Sequence, residues 1–296
     1  MGLLSVDKPA TPVVGVAERR AEWGRQLIHW LVIGLLLVGG LLMVLPFLWM
    51  VSTSLRLARE SFTVPPQWLP TTLRIENYQQ VLDGIPFGLF VLNSLKIAVL
   101  VTLGQLITCS MAGFAFARLR FPGRNVLFIV LLSSLMIPGQ VTIIPIFIII
   151  RTLGLLDTHE SIIIPSLFSA FGVFLMRQFF MTIPDELEDA ARVDGAGYVT
   201  IFARIFLPLS GPGLATLAIF TFNFHWNEFF RPLLFLTTWE NMTLPLGLTI
   251  MRGYMGTGNV AAIMAGISLA VIPILIIFLF AQRYLIEGIT LTGLKG

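Results

Sequence analysis

A chain of 296 residues in which 56% are hydrophobic, only 12% are charged and the mean hydropathy is +0.88 carries more apolar surface than a soluble core of that length can bury. A soluble catalytic domain is thereby excluded as the bulk of the chain, and the net charge of +3 comes with no basic stripe interleaved with aromatics, so no nucleic acid is expected as a partner. The lone cysteine, Cys109, excludes a disulfide framework or a cysteine-built metal site within the chain.

About 20 apolar residues are needed to cross a bilayer, and six candidate spans follow in chain order: 27–51, 87–117, 126–150, 161–180, 209–230 and 260–281. The fold class expected is an all-α membrane protein. Its parts are a cytoplasmic N-terminal segment 1–26, a six-helix transmembrane domain 27–283 and a cytoplasmic tail 284–296. The first span follows Arg19, Arg20 and Arg25, as a secretory signal would. Its apolar run, however, far exceeds the ~7–15 residues of a signal core, and no small-x-small cleavage site follows. It reads as a retained helix, with Trp30 and Trp49 spaced to suit the two interfaces.

Orientation follows from the cations. Arg19, Arg20 and Arg25, then Arg118, Arg120 and Arg124, then Arg177, Arg192 and Arg204, and finally Arg283 and Lys295 fall on one side, which the positive-inside rule makes cytoplasmic. Arg56, Arg59, Arg74, Arg151, Arg231 and Arg252 fall on the other, so the asymmetry is a bias, not a clean split. Lys96, about two turns into the second span, is expected to snorkel outward. His29, His159 and His225 lie far apart; His225 and Glu228 share i, i+3 spacing without a third metal ligand. Gly288 to Gly293 imitates a phosphate loop, but Lys295 comes one position late and no Ser or Thr follows it, so no nucleotide or other cofactor site is expected in this chain.

Between the fourth and fifth spans lies a polar, helix-capable segment, 182–208. Thr182 and Asp185 form a candidate capping pair, Pro184 tolerates a first turn, and Asp185 and Glu186 put negative charge where the helix dipole favours it. Leu187, Ala190 and Ala191 share one stripe, while Glu188 and Arg192 make an i, i+4 pair on another. Gly195 stands where a left-handed C-cap would end the helix. Tyr198 to Phe206 is apolar and helix-compatible, and Pro208 interrupts that run. Helix, turn and second helix are therefore expected on the cytoplasmic face; an ordinary hairpin lying on lipid headgroups has the same amphipathic pattern.

The order Asp189-Ala190-Ala191, three residues, Gly195, nine residues, Ile205-Phe206-Leu207-Pro208 resembles the EAA loop of ABC importer permeases, whose pattern is Glu-Ala-Ala-x3-Gly-x9-Ile-x-Leu-Pro. Asp189 departs from the usual Glu, and Glu188 keeps a second acid beside it. From about Asn93 onward the resemblance narrows to the carbohydrate-uptake branch and the shorter of its two permease subunits. It is carried by Asn93-Ser94, Ala115 to Gly123, Ile137-Pro138, Gly154 to Thr158, Arg177 to Phe180, Trp226-Asn227-Glu228-Phe229 and the tail Gly288 to Gly296, where Ile289 replaces the usual Leu.

The resemblance implies a type I importer fold and one half of a translocation path for a di- or oligosaccharide in a bacterial inner membrane, with both termini cytoplasmic. It implies as partners a homologous second permease, two ATPase subunits that bind ATP and Mg, an extracytoplasmic sugar-binding protein and the surrounding lipid. Glu188, Asp189, Ala190, Ala191, Gly195, Ile205, Leu207 and Pro208 become candidates for coupling to the ATPase. The outer loops 56–87 and 231–259 become candidates for receiving the binding protein, with Gly253 to Gly258 either reaching into its cleft or serving as a plain connector.

Polar residues within spans tend to face a bundle interior, which makes Asn93, Asn223, Asn227 and Glu228 candidates for the solute path, with Trp226 able to stack on a sugar. The same residues equally suit helix-to-helix bonding and interface anchoring. An ion-coupled secondary transporter is the alternative, but it calls for midmembrane carboxylates and often inverted repeats, of which the spans show little. A membrane-embedded hydrolase needs a convergent nucleophile, base and acid, and none is visible.

Overall fold

The computed structural model describes residues 16–61, 63, 68–252 and 258–293, and the side chains of all these except 16–22, 24, 281 and 283–293. The first fifteen residues, the last three and the 253–257 part of the glycine loop lie outside this set. Among the described residues every regular element is helical. In order these are α1 (Val16–Ser54), α2 (Glu76–Gly84), α3 (Phe87–Arg118), α4 (Arg124–Ser133), α5 (Gly139–Thr152), α6 (Glu160–Ser166) and α7 (Ala170–Met181). They continue as α8 (Asp185–Val193), α9 (Tyr198–Ile201), α10 (Leu207–Leu209), α11 (Gly211–Trp226), α12 (Phe230–Phe235), α13 (Leu244–Ile250) and α14 (Val260–Gly293).

The chain divides into Met1–Ser52 and Thr53–Gly296. In the first unit α1 already begins at Val16, inside the segment assigned to the N-terminal arm, and exposes Leu31, Leu35, Leu42 and Phe47, the surface a lipid-facing helix presents. In the second unit α3 is the central post. Its 32 residues span roughly 48 Å, and it feeds three buried clusters: Phe90 and Ala98 pack with Trp226, Leu244 and Ala262; Ile97 and Val101 with Ile162, Phe235 and Leu246; Cys109 and Phe114 with Met176, Phe180 and Phe206.

Close approach of α3 to α7 relies on small residues, as expected where lipid gives no hydrophobic drive to helix pairing. A Cβ at Gly113 would stand 2.8 Å from Met176 Cβ and 2.9 Å from the Arg177 nitrogen; one at Gly172 would stand 2.8 Å from Cys109 Sγ.

Among the described residues four helical stretches, Arg25–Ser54, Phe87–Arg118, Glu160–Met181 and Val260–Phe280, are each long and apolar enough to cross a membrane, and two bent pairs raise the total to six if each pair is one span. The bends correct the sequence reading. The expected third span, 126–150, is instead two helices at 100°, broken at Ile137–Pro138, where Pro138 has no N–H to donate and Ile137 is held extended (φ −87°, ψ 115°). The expected fifth span, 209–230, begins after a 77° bend at Ser210 and stops at Trp226; Phe230–Phe235 is a separate short helix. The fourth span opens between α6 and α7, where Ser169 is extended and its hydroxyl caps the Gly172 nitrogen at 3.3 Å. At the C-terminus α14 continues to Gly293, so the stretch read as a tail from 284 is helical through that residue.

Candidate coupling hairpin and membrane cavity

The 182–208 segment folds as helix, turn, helix. Helix α8 starts after an extended Pro184 with no side-chain cap, because Thr182 turns back and donates its hydroxyl to the Phe179 carbonyl at 2.7 Å. The expected Thr182–Asp185 capping pair is thus not formed, and Asp185, Glu186 and Glu188 in the first turn supply the favourable charge alone. At the other end the Ala196 nitrogen bonds the Ala191 carbonyl at 2.9 Å and the Gly195 nitrogen bonds the Arg192 carbonyl at 3.0 Å, with Gly195 at φ +78°. This pair of bonds is a Schellman C-cap, and it requires the left-handed conformation that glycine adopts without a Cβ penalty.

Beyond the turn, α9 runs into a π-helical stretch, Phe202–Phe206, and then α10. Pro208 does not end this run as the sequence reading had it. The wider π turn ahead of it eases the ring past the preceding carbonyls, and the break comes two residues later at Ser210, whose nitrogen and hydroxyl bond the Phe206 carbonyl. Phe206 is fully buried against Phe114 and Phe180; Ile205 packs partly buried against the same cluster.

The coupling candidates divide by direction. Asp189, Ala190 and Gly195 are exposed, as are Leu187, Val193 and Val199, the last two at 87% and 81%. Glu188 instead points inward: it is 7% exposed, accepts from Arg192 Nη2 at 2.6 Å and lies 3.9 Å from Arg118 Nη1. The Glu188 carboxylate raises the Arg192 guanidinium still further above its usual value. Arg118, at the last turn of α3, reads from the sequence only as a topological cation. Its fork bonds the Asp185 carboxylate and the carbonyls of Phe180 (2.7 Å) and Ile183, and its guanidinium lies 4.8 Å from the centre of the Phe206 ring. The resemblance-bearing stretch Ala115 to Gly123 held that signal, but a lone arginine at a helix end does not declare which loop it grips.

At the other end of the unit, the segments before α6 and after α12 are clipped together. Asp157, at φ +58°, accepts from the Thr237 and Thr238 nitrogens at 2.8 and 3.0 Å. Burial, the largest single influence, pushes its carboxyl up, but hydrogen bonds from the Thr238 and Thr237 backbone and from the Thr238 and Asn241 side chains together hold the pKa below the ordinary value. Lys96 meets His159 Nδ1 at 3.2 Å, and His159 Nε2 reaches the Asn241 carbonyl at 3.1 Å, so this lysine is a tie as well as a snorkelling chain. Burial, the largest influence, lowers the His159 pKa.

The solute-path candidates mostly have structural duties. Asn93 donates to the carbonyls of Glu240 and Met242 at 2.8 and 2.9 Å. Trp226 is 2% exposed, stacks on Phe222 and donates to the Ala270 carbonyl at 3.1 Å, so it has no free face for a sugar. Glu228 is held by both Nε and Nη2 of Arg231 and lies 3.0 Å from His225 Nδ1, which explains the i, i+3 spacing without a metal. Asn227 is exposed and donates to the carbonyl and side chain of Asn223 at 2.8 and 3.1 Å.

Asn223 alone of the five lines a cavity of about 580 Å³, with Gln105, Ser166, Thr221, His225, Arg231 and four phenylalanines. By its place in the sequence Arg231 reads as an outer-loop charge. It instead bonds Ser166 Oγ at 2.7 Å, deep against the α6–α7 opening.

Residues 109–290 match the family described as binding-protein-dependent transport system inner membrane component. The chain is 38% identical over 229 residues to the arabinooligosaccharides transport system permease protein AraQ of Halalkalibacterium halodurans, covering 77% of this chain and 81% of that one. It is 36% identical over 241 residues to the sn-glycerol-3-phosphate transport system permease protein UgpE of Salmonella choleraesuis, covering 78% and 85%. Its fold superposes with a TM-score of 0.76, at 25% identity, on a chain of a bacterial ABC transporter involved in the import of the acidic polysaccharide alginate, covering 93% of this chain and all of that one. The fold is that of a type I importer permease, and the chain belongs to the binding-protein-dependent inner-membrane components, the transport subunits of ABC importers whose ATPase is a separate chain.

Proposed function

We propose that this chain forms half of the path for a di- or oligosaccharide and that its 182–208 hairpin transmits motion from two ATP-binding subunits. The other half is a homologous permease, and an extracytoplasmic sugar-binding protein delivers the solute at the loops 56–87 and 231–259. ATP and Mg belong to the ATPase chains. The chain lies in a bacterial inner membrane with both termini cytoplasmic, a reading supported by Arg118, Arg120 and Arg124 lining one pocket with the acids of α8.

The observation that carries the coupling role is the combination of an exposed turn and a buried anchor. Asp189, Ala190, Val193 and Gly195 present a small-residue surface outward, while Arg118 and Glu188 fasten the same helix to α3. A partner pushing on such a helix moves the bundle instead of merely bending a loop. The test is Gly195→Leu in the complete importer. A Cβ here meets nothing within 4 Å, so the variant acts through the strained turn, at roughly 1–2 kcal/mol, and through side-chain bulk presented to the partner. Uptake is expected to fall while ATP hydrolysis persists and the subunit remains in the membrane; wild-type uptake at normal expression would reject the coupling role.

A further inference from the structure

Glu160–Met181 is one apolar stretch by composition, yet its helix opens at Leu167–Ser169. The opening lies at membrane depth: Gln105, which bonds the Ser166 carbonyl at 2.8 Å, is 13 residues above Arg118 on α3, on the order of 20 Å along the helix. Non-helical backbone at that depth persists only where protein satisfies it or where it lines a water-filled space. Here protein satisfies the backbone, and the break also borders open space. Gln105 and Thr108 take the carbonyls of Ser166 and Leu167, and the opening forms one wall of the 580 Å³ cavity.

We propose that this cavity is a binding station for an uncharged saccharide unit, held by this chain itself and not only by its partner permease. The proposal rests on the carbohydrate reading above and adds the site and the charge class. The cavity's volume falls within the ~300–1,000 Å³ range of small-molecule sites. Phe171 and Phe220, 44% and 50% exposed and set edge to face at 6.1 Å, offer ring faces to the apolar C–H side of a pyranose or furanose. The exposed Asn223 offers an amide to its hydroxyls.

Charge decides between ligand classes. Arg231 is the cation on the wall; its Nε and Nη2 grip Glu228, whose side chain is 8% exposed, while Nη1 is taken by Ser166 Oγ. A phosphate or uronate entering here finds a guanidinium already neutralised, whereas a neutral polyol gives up no uncompensated charge. The site therefore favours the neutral sugar.

The test uses the complete importer with its binding protein in proteoliposomes, supplied with labelled neutral arabino-, gluco- and galacto-oligosaccharides of two to four units and, separately, sn-glycerol 3-phosphate. Asn223→Leu and Phe220→Ala are expected to raise KM for the imported saccharide about tenfold with Vmax within twofold. In parallel, Asn223→Cys is probed with a water-soluble maleimide; Cys109, the chain's own thiol, is buried. Labelling is expected to slow at least threefold when the saccharide occupies the path. Unchanged KM in both variants, or labelling indifferent to the saccharide, overturns the station while leaving the carbohydrate reading intact. Import of glycerol phosphate alone, or of no probe, overturns both.

Discussion

Replacing Arg118 by alanine removes a side chain that is only 8% exposed and that holds α8 to α3. Its contacts are unequal. The ion pair with Asp185, whose side chain is 83% exposed, contributes at most about 1 kcal/mol. The bonds to the Phe180 and Ile183 carbonyls are charge-assisted, about 1.5–3 kcal/mol each before relaxation, and the contact with the Phe206 ring adds roughly 0.5–1 kcal/mol. Glu188 keeps Arg192, and the freed hairpin can relax so that the two carbonyls find other donors, which brings the net loss to about 3 kcal/mol, below the gross sum. That is roughly a hundredfold in the ratio of docked to loosened hairpin. The assay is sugar imported per ATP hydrolysed in proteoliposomes, with hydrogen exchange followed over 185–196 in the same complex. Arg118→Ala is expected to lower the ratio sharply and speed exchange; Arg118→Lys, which keeps the charge but loses the fork, should fall between. An alanine variant with wild-type stoichiometry and wild-type exchange would show that Arg118 is not the fastening.

Gly113→Ala puts a Cβ against the backbone of α7, an overpacking that should cost about 1–3 kcal/mol and lower the melting temperature in detergent; no shift would mean that the α3–α7 approach is looser than described. His159 gives a pH signature. Its folded pKa lies below the ordinary value, chiefly through burial, with Lys96 also lowering it and the Asn241 carbonyl, Glu160 and Asp157 opposing. The sign follows: the contribution is intact above about pH 6.5 and is lost as pH falls below it through the folded value. The melting temperature should therefore drop between pH 7.5 and 5, and His159→Gln should flatten that drop; an equal drop in the variant assigns it to other groups.

Much of the site was legible as local chemistry. Gly195 followed helix-forming residues at the place where a left-handed cap belongs, and the bonds from Ala196 and Gly195 realise that cap. The α8 acids likewise stand in the first turn. What could not be read was direction. Glu188 and Asp189 are adjacent acids of one motif, yet helical rotation sends the first inward to Arg118 and the second outward. Trp226 and Asn223 illustrate the same limit on α11: three residues apart, one is core and one lines the cavity.

By itself the chain's composition determined that it is helical and membrane-borne, since only closed backbone hydrogen bonding survives in lipid and every span had to be apolar enough to enter it. Motif spacing determined the hairpin and pointed to the family. Tertiary structure alone decided where spans bend, which polar residues are ties and which face open space, because those outcomes depend on partners 60 to 150 residues away: Gln105 with Ser166, Arg118 with Asp185, and Asn93 with Met242. A one-dimensional pattern carries periodicity, and therefore faces; it does not say which faces meet.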